Sequence, residues 1–176
     1  MYTKEKLNLL QAAENIADEL MAQSIKTAEG TYWNTLKKAN ADTFVYEASE
    51  SLYSGVTGIA LFFTELYKLT QKNEYLDISL NASKWLINRC NNIENDFYAF
   101  YTGRIGVAWY LCYLGDYIKD DSFKAEGLAL IKNCEVFISK KYNAADDLLN
   151  GTAGAILGLI HIHNLTRAPW LLTKIN

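Results

Sequence analysis

The stretch Asn150-Gly151-Thr152-Ala153-Gly154 decides the fold, because its Gly-x-x-Gly pattern occurs three times along the chain. The copies begin at Gly55, Gly103 and Gly151, so the repeat period is 48 residues. About fifteen mostly apolar residues follow each copy, which is the length and composition of a buried helix. Three copies at one period indicate helical repeats that share one steric requirement at their start.

The residue before each copy predicts how the helix begins. Ser54, Thr102 and Asn150 each carry a side-chain oxygen that can accept a hydrogen bond from a free N–H of the first turn, so we expect them to be N-caps. Both glycines of a copy then lie in the first turn, where two missing side chains let another backbone or a ligand approach. The second glycines are Gly58, Gly106 and Gly154.

Each apolar helix precedes an amphipathic stretch, which predicts a buried inner helix and a half-exposed outer helix in every repeat. A helix over about 4–26 comes first and stops at Gly30, and residues 31–51 form an ordered connection that can include a short hairpin. Pro169 suits the first position of a further helix. Inner helices are expected over 56–70, 104–118 and 152–164, with outer helices over about 75–92 and between 119 and 141.

The contrast between the two layers favours a closing array over a straight solenoid. We therefore predict an all-α fold of the α/α-toroid type, with one domain over residues 1–176 and repeat starts near 51, 99 and 147. Three repeats make about half of a full ring, and such a part exposes an apolar flank. We expect the chain to be the N-terminal part of a longer protein, or two copies to cover each other as a homodimer.

Composition excludes several classes of partner. The formal net charge is −3 and the pI is near 5.4, which argues against nucleic acid or an acidic membrane surface. The longest apolar stretches contain polar residues, so we expect no membrane span. Cys90, Cys112 and Cys134 form no Cys-x-x-Cys pair, which predicts a cytoplasmic protein with reduced cysteines packed inside helices.

The three copies with their flanks resemble the repeat signature of the lanthionine synthetase C-like proteins, over about residues 50–165. The matching segments are Leu52-Tyr53-Ser54-Gly55-Val56-Thr57-Gly58-Ile59-Ala60-Leu61, Tyr101-Thr102-Gly103-Arg104-Ile105-Gly106 and Asp147-Leu148-Leu149-Asn150-Gly151-Thr152-Ala153-Gly154. The resemblance implies an α/α toroid. For cyclase members it implies a zinc ion that activates a peptide cysteine for addition to a dehydroalanine or dehydrobutyrine, which gives a thioether ring.

The resemblance also implies site residues. In the cyclases a functional aspartate lies four residues before the first glycine of one copy, which is Asp147 here, whereas Ser51 and Ala99 occupy the equivalent places. Asp147 is therefore the candidate catalytic residue; the alternative is a surface carboxylate that favours a helix N-terminus. Arg104 faces the central end or pairs with a nearby acid. The candidate lining of the central end is Gly55, Gly58, Gly103, Arg104, Gly106, Gly151, Gly154, Tyr53 and Tyr101.

The chain departs from the family at the metal. The family's ligands are a Cys and a later Cys-His pair beside further glycine pairs, and this chain has no counterpart of either. His161 and His163 are two residues apart on a helix, so they face different directions. We therefore expect no metal or other cofactor in this chain, zinc only in the full-length protein, and no cyclisation by this chain alone.

Two other functions stay open at this point. One is a non-catalytic helical-repeat scaffold that binds a peptide or a protein. The other is an α/α-toroid carbohydrate-active enzyme, in which Tyr53, Tyr101 and Trp109 would serve as sugar platforms and Asp146 or Asp147 as the acid.

Overall fold

A computed structural model describes residues 2–38, 43–92, 97–132 and 147–174. The chain begins with a helix and two small antiparallel hairpins, and the helical repeats follow. The elements are α1 (Tyr2–Gln23), β1 (Ile25–Thr27), β2 (Gly30–Tyr32), β3 (Asn34–Lys38), β4 (Phe44–Ala48), α2 (Val56–Thr70), α3 (Asn73–Asn92), α4 (Arg104–Ile118), α5 (Asp121–Ile131), α6 (Thr152–Thr166) and a 3-10 helix (Pro169–Lys174). None of the helices within these ranges is both long enough and apolar enough to cross a membrane.

The repeats form two layers of helices, as the sequence predicts. The inner helices lie side by side, α2 against α4 and α4 against α6, while outer helix α3 packs on α2 and outer helix α5 packs on α4. Their shared interior is apolar, with Phe63, Leu86 and Leu111 fully buried. The predicted all-α fold of the toroid type is confirmed.

The three inner helices have the same length and end in the same way. Each has 15 residues, and each is followed by a residue in the left-handed conformation: Gln71, Lys119 and Arg167, with φ of 59°, 61° and 57°. These residues are spaced by the same repeat period as the glycines, and the N–H of each bonds back to a carbonyl of the last turn. Such ends usually use glycine, so Gln, Lys and Arg gave no signal for them in the sequence.

The prediction that Ser54, Thr102 and Asn150 are N-caps is wrong. The N-caps are Gly55, Gly103 and Gly151, in extended conformation and without a side-chain cap bond. Carbonyl groups of the preceding turn take the place of the side chains, because the turn folds back over the helix start. The N–H of Val56 donates to the Ser49 carbonyl (2.8 Å), and the N–H of Arg104 donates to the Phe97 carbonyl (3.0 Å).

The same folded-back turn explains the second glycine of each copy. A Cβ atom there would overlap the carbonyl oxygen of the residue six positions earlier. The pairs are Gly58 with Leu52, Gly106 with Phe100, and Gly154 with Leu148. The steric requirement inferred from the sequence is therefore imposed by the backbone of the turn itself.

The N-terminal part differs in detail from the prediction. Helix α1 ends at Gln23, before Gly30. Gly30 begins β2 with φ of 128°, and a Cβ atom there would lie 2.6 Å from the main-chain nitrogen of Trp85 in α3. The short hairpin expected within 31–51 is present as β3–β4, whereas β1–β2 was not predicted. Trp33 is buried and its indole N–H donates to the Leu20 carbonyl (2.7 Å), which anchors the connection to α1.

The C-terminal segment after Pro169 is a 3-10 helix instead of the expected α-helix. Outer helix α5 is described as far as Ile131. Cys134 and Asp146, together with the rest of the predicted outer helix up to residue 141, lie outside the described residues.

Candidate functional site

The turns that precede the inner helices contact one another from repeat to repeat. The N–H of Tyr53 donates to the carbonyl oxygen of Tyr101 at 2.8 Å, and the hydroxyl of Thr102 donates to the side-chain oxygen of Asn150 at 2.6 Å. In both contacts the partners are one repeat apart. The contacts bring the N-termini of α2, α4 and α6 to one end of the inner layer, where their partial positive charges favour an anion.

The side chain of Asp147 stabilises its turn by accepting a main-chain hydrogen bond, as the side chain of Ser51 does in the first turn. The buried Ser51 hydroxyl accepts from the N–H groups of Tyr53 (3.1 Å) and Ser54 (3.2 Å) and donates to the Tyr101 carbonyl (3.1 Å). One carboxylate oxygen of Asp147 accepts from the N–H of Asn150 at 2.7 Å. Asp147 is exposed, so a carboxylate held by its own turn is presented at this end of the inner layer.

Arg104 is half-buried at the start of α4. Its Nη2 donates to the Cys90 carbonyl near the end of α3, at 3.1 Å. This contact ties the inner helix start to the outer helix. The predicted lining role of Arg104 stays a prediction.

A groove of about 580 Å³ lies between the turns that precede α2 and α4 and the neighbouring faces of the inner helices. It brings together three residues predicted for the central end, Tyr53, Gly58 and Tyr101. The other glycines predicted for the central end are buried at the starts of the inner helices. Gly55, Gly103, Gly106 and Gly154 each lie against backbone atoms of the preceding turn. The groove is lined by Leu52, Tyr53, Gly58, Leu61, Phe100, Tyr101, Trp109 and His161.

Phe100 is the centre of the aromatic wall of this groove. Its ring meets Trp109 edge to face, with centroids 5.7 Å apart, and stacks against His161 at 6.1 Å. Phe100, Leu61 and His161 were not predicted as site residues from the sequence. The repeat period could have identified Leu61, because Leu61 lies one repeat before Trp109. His161 lies one repeat after Tyr113 and two after Glu65, on the same helical face.

A polar cluster of Glu65, Lys68 and Tyr113 continues the wall away from the turns. Tyr113 stacks on Trp109 with centroids 5.4 Å apart, and its hydroxyl donates to Glu65 and accepts from Lys68. Lys68 Nζ also lies 3.2 Å from Glu65 Oε1. Burial and then the bond to Glu65 raise the pKa of Tyr113, while the bond to Tyr113 raises the pKa of Lys68. At neutral pH the cluster therefore contains a neutral phenol and an ammonium group.

The cysteines and histidines that the structure describes are not arranged as a metal site. Cys90 and Cys112 are buried, and desolvation raises the pKa of each to about 12, so both are protonated thiols at neutral pH. His161 lies in the groove, whereas His163 Nδ1 lies 3.0 Å from the Ala168 carbonyl. Within the described ranges no three His, Cys, Asp or Glu residues are grouped closely enough to hold a metal ion.

Comparison with known proteins identifies relatives of this chain. The sequence profile of the lanthionine synthetase C-like protein family matches residues 46–175. The chain is also similar to the lacticin 481/lactococcin biosynthesis protein LcnDR2 of Lactococcus lactis subsp. lactis, with 30% identity over 178 residues. That similarity covers 93% of this chain but 19% of the relative, so the chain spans a small part of the relative's length.

Proposed function

Since the chain belongs to the lanthionine synthetase C-like family, we propose that it is the N-terminal part of a peptide cyclase. The complete enzyme would add cysteine thiols of a peptide to its dehydroamino acids and so form thioether rings. The observation that carries the proposal is the family match, which spans all three Gly-x-x-Gly turns and includes Asp147. The similarity to a protein of lacticin 481/lactococcin biosynthesis supports a peptide as the substrate.

The zinc that the family implies does not fit the residues described here. Cys90 and Cys112 are buried thiols whose pKa is raised to about 12, and His161 and His163 make separate contacts. We therefore assign the zinc ligands to another part of a longer polypeptide. That the chain aligns with 19% of its relative supports this assignment.

The residues of this chain would bind and orient the peptide. The three inner helix N-termini converge on one end, where their dipoles favour a developing negative charge such as a thiolate or enolate. Asp147 is exposed at that end and keeps its place through the N–H of Asn150. We assign it the role of accepting or orienting a proton at the peptide.

A peptide-binding scaffold without catalysis is the second candidate. The observation in its favour is that Asp147 does for its turn what the uncharged Ser51 does for the first turn. Ring formation by the complete protein separates the two candidates, because a scaffold forms no rings. The variant Asp147→Ser then tests the carboxylate, because a serine can rebuild the turn and brings no carboxylate. Abolished ring formation with intact peptide binding favours a catalytic role for Asp147, and retained ring formation favours a structural role.

The proposed partners follow from the exposed apolar side chains at the C-terminal side. Ile160 of α6 and Leu172 of the 3-10 helix are 41% and 45% exposed. We propose that a further repeat of the longer protein, or a second copy of this chain, covers these two side chains. The free thiols of Cys90 and Cys112 are compatible with the cytoplasm, to which we assign the protein.

The test compares this chain with the complete protein that contains it. Each is incubated with zinc and a dehydrated cysteine peptide, and free thiols are counted by alkylation and mass spectrometry. We expect ring formation by the complete protein only. Rings made by this chain alone would overturn the assignment of the zinc ligands, and no rings from the complete protein would overturn the cyclase.

A further inference from the structure

We propose that the groove at the helix starts binds one uncharged aromatic side chain of the peptide substrate, and that it thereby selects peptides with such a residue near the reacting cysteine. The proposal rests on the proposed function, because it names a subsite for the same peptide. Three observations carry it: the shape of the groove, the balance of charge around it, and its position relative to Asp147.

The walls of the groove suit a ring. Leu61 and Leu52 provide an aliphatic side of the groove, and Phe100 and Trp109 provide an aromatic side, with their two rings edge to face at an interplanar angle of 82°. Aromatic pairs prefer offset-stacked and edge-to-face contacts, which an entering phenyl or indole ring can make with both residues. The groove volume of about 580 Å³ leaves room for one such ring together with the adjoining backbone.

The charge near the groove does not favour a cationic side chain. The polar cluster that continues the aromatic wall contains the carboxylate of Glu65, which already pairs with Lys68 at 3.2 Å and with the Tyr113 hydroxyl. Lys68 in turn lies 4.9 Å from the centre of the Tyr113 ring. Because this cluster neutralises itself, an uncharged ring gains contact area without leaving a charge unpaired.

The groove lies beside the turn that holds Asp147. Tyr101 lines the groove, and the next residue, Thr102, donates to Asn150 at 2.6 Å. Asn150 in turn donates its N–H to Asp147 at 2.7 Å. A peptide that places a ring in the groove can therefore reach the turn of Asp147 with neighbouring residues, and this proximity is why we link the subsite to the reacting cysteine.

The test measures binding of three short peptides by NMR on this chain. The probes are acetyl-Gly-Phe-Gly-Cys-Gly-amide and the same peptide with Ala or Lys in place of Phe. We expect the Phe peptide to shift the indole signal of Trp109 and to bind about ten-fold more tightly than the Ala peptide. Equal affinity for the Phe and Ala peptides, or tighter binding of the Lys peptide, would overturn the proposal.

A matched pair of leucines on α2 provides the control. Leu61 lines the groove, whereas Leu69 is 72% exposed outside it. Leu61→Ala should weaken binding of the Phe peptide several-fold, and Leu69→Ala should leave it unchanged. Equal effects would contradict the proposal.

A second pair of variants, both at Trp109, separates loss of the aromatic ring from loss of the fold. Trp109→Phe keeps a ring and should preserve the preference for the Phe peptide, while Trp109→Leu should abolish it. If both variants keep the preference, the subsite is wrong. Binding needs no dehydrated residue, so these results stand even if the complete protein forms no rings.

Discussion

The main-chain N–H of Tyr53 donates a hydrogen bond of 2.8 Å to the carbonyl oxygen of Tyr101, the residue at the same position of the next repeat. The hydroxyl of Thr102 makes the corresponding link onward, to Asn150. Turns of successive repeats are thus joined at one end of the inner helices, and that end carries both the aromatic groove and Asp147. Because the turns are joined in this way, a peptide at this end can contact several repeats at once.

The glycines of the turns should be intolerant of any side chain. In Gly106→Ala the new Cβ would overlap the Phe100 carbonyl oxygen, which belongs to the same turn and cannot move without breaking the turn. We expect a loss of more than about 2 kcal/mol in the free energy of unfolding, measured by urea denaturation. The control Ala153→Gly lies on the exposed side of the first turn of α6 and should cost about 1 kcal/mol or less. Equal losses would argue against the steric explanation.

A buried hydroxyl cluster joins three helices of the core. The Tyr110 hydroxyl of α4 lies 3.2 Å from Thr64 Oγ1 of α2 and 3.4 Å from Ser83 Oγ of α3. Tyr110→Phe should lower the free energy of unfolding by about 1–2 kcal/mol, because Thr64 and Ser83 lose a partner in the interior. Tyr53→Phe, at a side chain that is 68% exposed, should change it by less than about 0.5 kcal/mol. A neutral Tyr110→Phe would show that the cluster adds nothing to stability.

The buried cysteines predict a loss of stability in alkali. Burial raises the pKa of Cys90 and Cys112 to about 12, so the native state holds protons that the unfolded state releases from about pH 8.5 upwards. This contribution to stability is complete below that pH and is lost as the pH rises towards about 12. Denaturation from neutral to alkaline pH should show a steeper decline for the wild type than for Cys90→Ala. Identical slopes would contradict the raised pKa of Cys90.

The sequence predicted the inner helices and their period, because a pair of glycines and a run of apolar residues are local signals. It failed on the N-caps, because the bonds to Val56 and Arg104 come from turn carbonyls that only the folded turn brings there. It also missed the left-handed residues after the inner helices, where Gln71, Lys119 and Arg167 stand in place of glycine.

In the candidate site, the sequence drew attention to Tyr53, Tyr101 and Gly58, which the structure brings together in the groove. It missed Phe100 and His161, whose meeting depends on the packing of α6 against α4. The role of Asp147 came from the family resemblance and stays a proposal. The structure adds that one of its oxygens bonds to Asn150.

The most direct measurement is the rate of ring formation by the complete protein carrying Asp147→Asn, with zinc and a dehydrated cysteine peptide. Asparagine keeps an oxygen that can accept from the Asn150 N–H, so the turn should persist while the carboxylate is lost. We predict a fall in rate of at least about 100-fold with peptide affinity unchanged. An unchanged rate would contradict the account that the end formed by the three turns is where the chemistry takes place.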